Sequence, residues 1–194
     1  MTLWSKVYHL TGIIATDMLE AIGYLPWGIL AGFIFILLWS VWNKAYQRQK
    51  ELISGEKKWI LFLCVIYSTV LLNLVFFSRE PGSRKGLDLR LFETLGTDLQ
   101  SQSYFIENIF VFLPFGILFP LAFVKLRKGR LCIAIGLLTS IFVEVLQLFT
   151  QRGYCQLDDV LTNTIGVIIG WSIHAIGIRL SHYRSLSAHL DRTV

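Results

Sequence analysis

The stretch LCIAIGLLTSIFVEVLQLF, Leu131–Phe149, decides how the chain folds. An apolar run of about 18 or more residues reads as a membrane-spanning helix. This one carries Glu144 and Gln147 near its end. A carboxylate at membrane depth is costly on every transfer scale and marks a functional site by default. At about 100° per residue, Ser140, Glu144 and Gln147 share one helical face. Arg152, Asp158, Asp159 and Asn163 follow closely. They concentrate polar groups at one edge of the membrane.

Four further apolar runs lie around this one: Ile22–Trp42, Trp59–Phe77, Ile106–Val124 and Val160–Ile178. Only 16% of the 194 residues are charged and 54% are hydrophobic. Soluble domains carry roughly 25% charged residues. The expected fold is all-α, an integral membrane bundle of five transmembrane helices spanning residues 22–178. In residues 1–21, Leu3, Val7, Leu10, Ile14 and Met18 fall on one helical face, with Lys6, His9, Asp17 and Glu20 elsewhere. That pattern predicts an interfacial amphipathic helix. The first apolar run starts too late for a cleavable secretory leader. Residues 179–194 are expected to form a tail.

The formal net charge of +5 suggests nucleic acid, but the basic residues collect in short connections between apolar runs. No basic helix or stacking motif stands apart from those flanks, so no nucleic-acid partner is expected. Cys64, Cys132 and Cys155 form no CxxC pair, which leaves neither a disulfide framework nor a zinc site. No cofactor is implied, and no metal site is assigned with confidence.

With five spans, twelve of the 18 Lys and Arg residues fall on one side, around 43–58, 125–130 and the C-terminal tail. The positive-inside rule then puts the N-terminus outside and the C-terminus in the cytoplasm. The polar groups gather on the outer side. Arg79 follows the second span, and Glu107 and Asn108 open the third. Glu144 and Gln147 end the fourth, and Asp158, Asp159 and Asn163 open the fifth. Asp159, Asn163, Gly166 and Gly170 share a face, where small residues let helices approach closely. Asp158 or Asp159 is a natural N-cap for the last helix. Pro114, Gly116 and Pro120 interrupt the third span, where a kink could open a cavity. The long connection 79–104 carries Leu87, Leu89, Leu91, Phe92, Leu95 and Leu99 among charges, and it is expected to lie on the interface or fold over the polar cluster.

The run NIFVFLPFGILFP, Asn108–Pro120, resembles the third-helix signature of the VanZ family. Ser140, Glu144, Gln147, Arg152, Asp158, Asp159, Asn163, Gly166 and Gly170 resemble its C-terminal signature, and Arg79 fits as well. Gln156 stands where many members place another acidic residue, and Glu107 is not a residue associated with the family. The resemblance covers about Tyr24 to Gly177. It implies a small polytopic bacterial membrane protein linked to resistance to teicoplanin, a lipid-bearing glycopeptide.

Three readings of the cluster remain. In the favoured one, Arg79, Glu107, Asn108, Glu144, Gln147, Arg152, Asp158, Asp159 and Asn163 bind a membrane lipid, a lipid-linked cell-wall precursor or the glycopeptide, with arginine forks suited to phosphate. In the second, the groups only fix the bundle's outer end. In the third, Glu144 acts as an acid or base, or holds a divalent cation with Asp158 and Asp159. No G-x-S-x-G and no Ser–His–Asp set accompanies them, which disfavours an enzyme.

Overall fold

A computed structural model describes residues 2–45, 55–77, 80, 82, 86–92 and 98–190, side chains at 182 and 184–190 excepted. The chain is helical almost throughout. In order it forms α1 (Leu3–Ile22), α2 (Leu25–Ala45), α3 (Gly55–Leu72, extended by a π-helical turn over Asn73–Phe77), α4 (Leu99–Ala122), α5 (Gly129–Thr150) and α6 (Leu157–Leu190). Five helices are long and apolar enough to cross a membrane: Leu3–Ala45, Gly55–Phe77, Leu99–Ala122, Gly129–Thr150 and Leu157–Ser181. The protein is an all-α, multi-pass membrane protein.

The bundle is organised around α4 and α6, its most extensive helix pair. A Cβ on Gly166 would strike the Ile109 carbonyl, and one on Gly170 the Leu113 carbonyl. A Cβ on Gly116 would meet the backbone of Val167 and Trp171. These three glycines bring the two helices together backbone to backbone. Helix α5 lies against α6, where Gly136 receives Val167. Helix α3 packs on α4, and α2 on α3 through Gly28 and Gly32, which meet Ile66 and Phe62. The core between them holds Leu71, Phe112, Phe115, Leu126, Cys132 and Val167.

Both Pro114 and Pro120 sit inside α4 without ending it. Proline cannot donate to the carbonyl four residues back. One turn away, the Tyr67 hydroxyl donates to the Val111 carbonyl at 3.0 Å, tying α3 to this stretch.

Three boundaries differ from the sequence reading. Helix α4 begins at Leu99 instead of Ile106, with Asp98 as N-cap accepting from the Ser101 amide at 2.7 Å. Its first turns carry Gln and Ser, which hydropathy overlooks. Helix α6 runs on to Leu190, well past Ile178. A helix continuing beyond the apolar segment is not marked by apolarity. Neither aspartate caps α6, which starts at Leu157 directly from a two-residue bridge. There β1 (Leu87–Asp88) pairs in parallel with β2 (Cys155–Gln156).

Helix α1 packs on α4 with Leu10, Ile13, Ile14, Asp17, Met18 and Ala21 half-buried. Asp17 lies on this face, where the sequence placed it off the apolar one. The spacing of apolar residues set the helix, but the face it buries is rotated toward its acidic edge.

Gly170→Ala is expected to lower the thermal midpoint in detergent, an overpacking loss of about 1–3 kcal/mol. At Gly177 nothing lies within 4 Å of an added Cβ. Gly177→Ala should therefore leave the midpoint unchanged or raise it, by up to about 1 kcal/mol. Melting curves of the two variants side by side check the seam.

Candidate functional site

Where α5 ends and α4 and α6 begin, the helices surround a cavity of about 540 Å³. Helix α5 contributes Val143, Glu144 and Gln147, and α6 contributes Asp159 and Asn163. From α4 come Gln100, Tyr104, Glu107, Asn108 and Val111, and from α1 Asp17, Met18 and Glu20. Tyr154 and Gln156 of the α5–α6 connection complete the wall with Glu80 and the end of α3. Among the described residues, six carboxylates stand in this wall and no lysine or arginine does.

Several polar groups are committed to the fold. One Glu144 oxygen accepts the Gln156 amide at 3.1 Å, holding the α5–α6 connection against α5. The Gln147 amide nitrogen donates to the Val75 carbonyl at 3.0 Å. The Asn108 amide donates to Asp159 at 2.8 Å, and that of Asn163 to the Ser140 hydroxyl at 2.9 Å. Gln100 donates to Asp17 at 3.3 Å. Each bond joins two elements.

What these bonds leave over is uniform in kind. Oε1 of Glu107, Oε1 of Gln147 and Oδ1 of Asn163 are buried without a hydrogen-bond partner among the described residues. Their side chains are only 8%, 2% and 4% exposed. Buried polar atoms are nearly always paired in native proteins, and each exception calls for an explanation. Here three acceptors from α4, α5 and α6 border one cavity.

Of the residues singled out in the sequence, the cavity gathers Glu107, Asn108, Glu144, Gln147, Asp159 and Asn163. It does not gather Arg152. That guanidinium donates to the Phe76 carbonyl at 2.9 Å and lies 4.6 Å from the centroid of the Phe76 ring, closing off the π-helical end of α3. Gln151, in the left-handed conformation at φ 55, turns the chain at the end of α5 and sets this placement. Asp158 is also outside the wall. It is 2% exposed and accepts the amide of Phe92 at 2.7 Å. Phe92 has φ 64, a costly conformation for a bulky residue, and this bond helps hold it. Arg79, with residues 83–85 and 93–97 of the long connection, lies outside the described residues.

With Asp158 turned to the loop, the proposed trio of metal-binding carboxylates does not converge. Among the described residues, no three His, Cys, Asp or Glu side chains are grouped so as to hold a metal ion. The residues that sequence reasoning missed are Asp17, Glu20, Glu80, Gln100, Tyr104 and Tyr154. Only the acidic pair on α1 gave a signal, as charges interrupting an apolar terminal helix.

The site's electrostatics reach Cys155, half-buried between α5 and α6. Burial raises its thiol pKa, and the negative charges of Glu144 and Asp159 raise it further.

Two comparisons with known proteins bear on this arrangement. The family model VanZ/LLP1 matches residues 27–178, which include every helix lining the cavity except α1. The chain belongs to the VanZ/LLP1 family. Protein VanZ of Enterococcus faecium is 27% identical over 140 residues, covering 68% of this chain and 81% of that protein. No solved structure matches the chain. In this VanZ/LLP1 member, the family region thus supplies four of the six wall carboxylates, while Asp17 and Glu20 come from a helix ahead of it.

Cys64 and Cys132 are buried, so alkylation should report on Cys155. A raised thiol pKa means slow labelling at neutral pH, accelerating as pH rises, because the thiolate is the nucleophile. Glu144→Gln keeps an acceptor for Gln156 but removes a charge, so labelling at fixed pH should speed up. An unchanged rate would mean that Glu144 is not a negative neighbour of Cys155.

Proposed function

We propose that this protein holds the polar head group of a membrane lipid or lipid-linked envelope precursor in the cavity, open to the outer leaflet. In this reading the N-terminus is outside and the C-terminus in the cytoplasm, as the cation asymmetry along the chain suggests. The role in teicoplanin resistance implied by the VanZ family then follows from handling a component that a lipid-bearing glycopeptide also meets.

One observation carries this reading: three orphaned acceptors border a single cavity at one end of the spans. A purely structural cluster would pair its polar groups with each other. An unsatisfied buried acceptor costs about 1–3 kcal/mol. Three of them exceed what interhelical contacts worth roughly 1 kcal/mol each would justify. A ligand that fills them removes the discrepancy. The loop also fits a membrane surface, with Leu87, Leu89, Leu91 and Phe92 all exposed.

The structural reading has support at Arg152, Asp158 and Ser140, whose partners lie within the fold. A catalytic reading finds less. It needs an acid or base next to a nucleophile, and the only cysteine near the cavity carries a raised pKa.

Glu144→Gln separates binding from structure. We expect normal folded yield and an unshifted melting midpoint. Lipid retained through gentle extraction and counted by native mass spectrometry should fall on the order of tenfold, as for the loss of one charge-assisted contact. Protection against teicoplanin at matched expression should fall with it. Poor folding with lipid retention intact would instead support the structural reading.

A further inference from the structure

We infer that the head group taken by the cavity is glycosyl, a neutral polyhydroxylated ring on a lipid anchor. This rests on the head-group reading above and names its chemistry.

Glu107, Gln147 and Asn163 are each more than nine-tenths buried, and each lines the cavity with an oxygen unspent. The Val75 carbonyl can only accept, so Gln147 turns its NH₂ there and leaves its oxygen over. Asn163 faces the Ser140 hydroxyl, which both donates and accepts, so this amide can present either end to the cavity. Glu107 accepts when ionised and also donates when protonated. The wall calls for a partner that donates at Gln147 and serves either role at the other two.

A hydroxyl is such a partner, with one O–H and two lone pairs. An ionised phosphate only accepts and leaves Gln147 unanswered. An ammonium only donates, and its fit depends on the charges around it. A hydroxylated ring is neutral, so it is indifferent to how the surrounding carboxylates are paired. It also carries several hydroxyls around its rim, which suits oxygens that come from three separate helices, α4, α5 and α6.

Two further features fit a sugar. The cavity volume of about 540 Å³ lies within the roughly 300–1,000 Å³ of sites that enclose small molecules. Tyr104 and Tyr154 stand in its wall with part of their surface exposed. The face of an aromatic ring is electron-rich and attracts the C–H bonds on the apolar side of a pyranose.

The test uses the full-length protein reconstituted with equal amounts of glucosyldiacylglycerol, phosphatidylcholine, phosphatidylethanolamine and diacylglycerol of matched acyl chains. It is re-extracted in a detergent without a sugar head, and retained lipids are counted by native mass spectrometry. The glucosyl lipid should be retained over each of the other three on the order of tenfold. Gln147→Met and Tyr104→Leu should each bring that ratio toward one, with melting midpoints recorded to confirm the fold. A folded Gln147→Met protein with the wild-type ratio overturns the assignment. For a variant that does not fold, the wild-type comparison decides alone. Methyl glucoside at the same concentration should leave the retained glucosyl lipid in place, and displacement by it would assign the site to a free sugar and overturn the lipid anchor. Phosphatidylcholine or phosphatidylethanolamine retained as well as the glucosyl lipid overturns the glycosyl assignment and leaves head-group binding standing. Diacylglycerol retained equally, or no lipid retained, overturns both.

Discussion

Nothing in a bilayer drives two apolar helices together as water does, because lipid tails are as apolar as leucine. Close backbone approach has to supply the attraction, and here it comes from Gly116, Gly166 and Gly170 between α4 and α6. Every other placement depends on that contact. It sets the height of Asn108 against Asp159, about two turns of α6 before Gly166 meets Ile109. It also presents the other side of α6 to α5, where Val167 fits over Gly136 and Asn163 reaches Ser140. A wider seam would separate the polar pairs above it.

The polar residues divide by which half of each group the fold uses. Arg152, Asp158 and Ser140 have partners in connections, loops or neighbouring helices. Gln147 and Asn163 spend only their donors on the fold. An amide is a two-sided group, and a contact needing only a donor does not by itself call for one. The proposed site therefore uses the unspent halves of residues that also hold the bundle together.

Much of this was legible in the sequence. Five apolar runs give the spans, and the common phase of Ser140, Glu144 and Gln147 puts them on one buried face of α5. The separation of the two aspartates follows from helical geometry as well. Asp159 is one turn from Asn163 and shares its face, while Asp158 is rotated by about 100°. Its partner, the Phe92 amide 66 residues earlier, follows from no local rule. Arg152 escaped because its direction depends on a left-handed Gln151, a conformation that glutamine does not advertise. Asp17 escaped for another reason. A short amphipathic helix can roll by tens of degrees at little hydrophobic cost, and its partner α4 selects the roll by offering Gln100.

In the proposed reading, the shared use of these amides couples binding to folding. Donors on Gln147 and Asn163 tie α3 to α5 and α5 to α6. Polarising the acceptor end of an amide strengthens its N–H as a donor, since hydrogen bonds in a chain reinforce one another. A hydrogen-bond donor at the oxygen ends would therefore tighten the bonds that hold three helices at the same rim. A ligand bound only by the folded state stabilises that state by mass action in any case. In the proposed reading the orphaned acceptors are a cost borne by the empty protein and relieved on occupancy, so the stability of this end of the bundle is expected to respond to what the membrane contains.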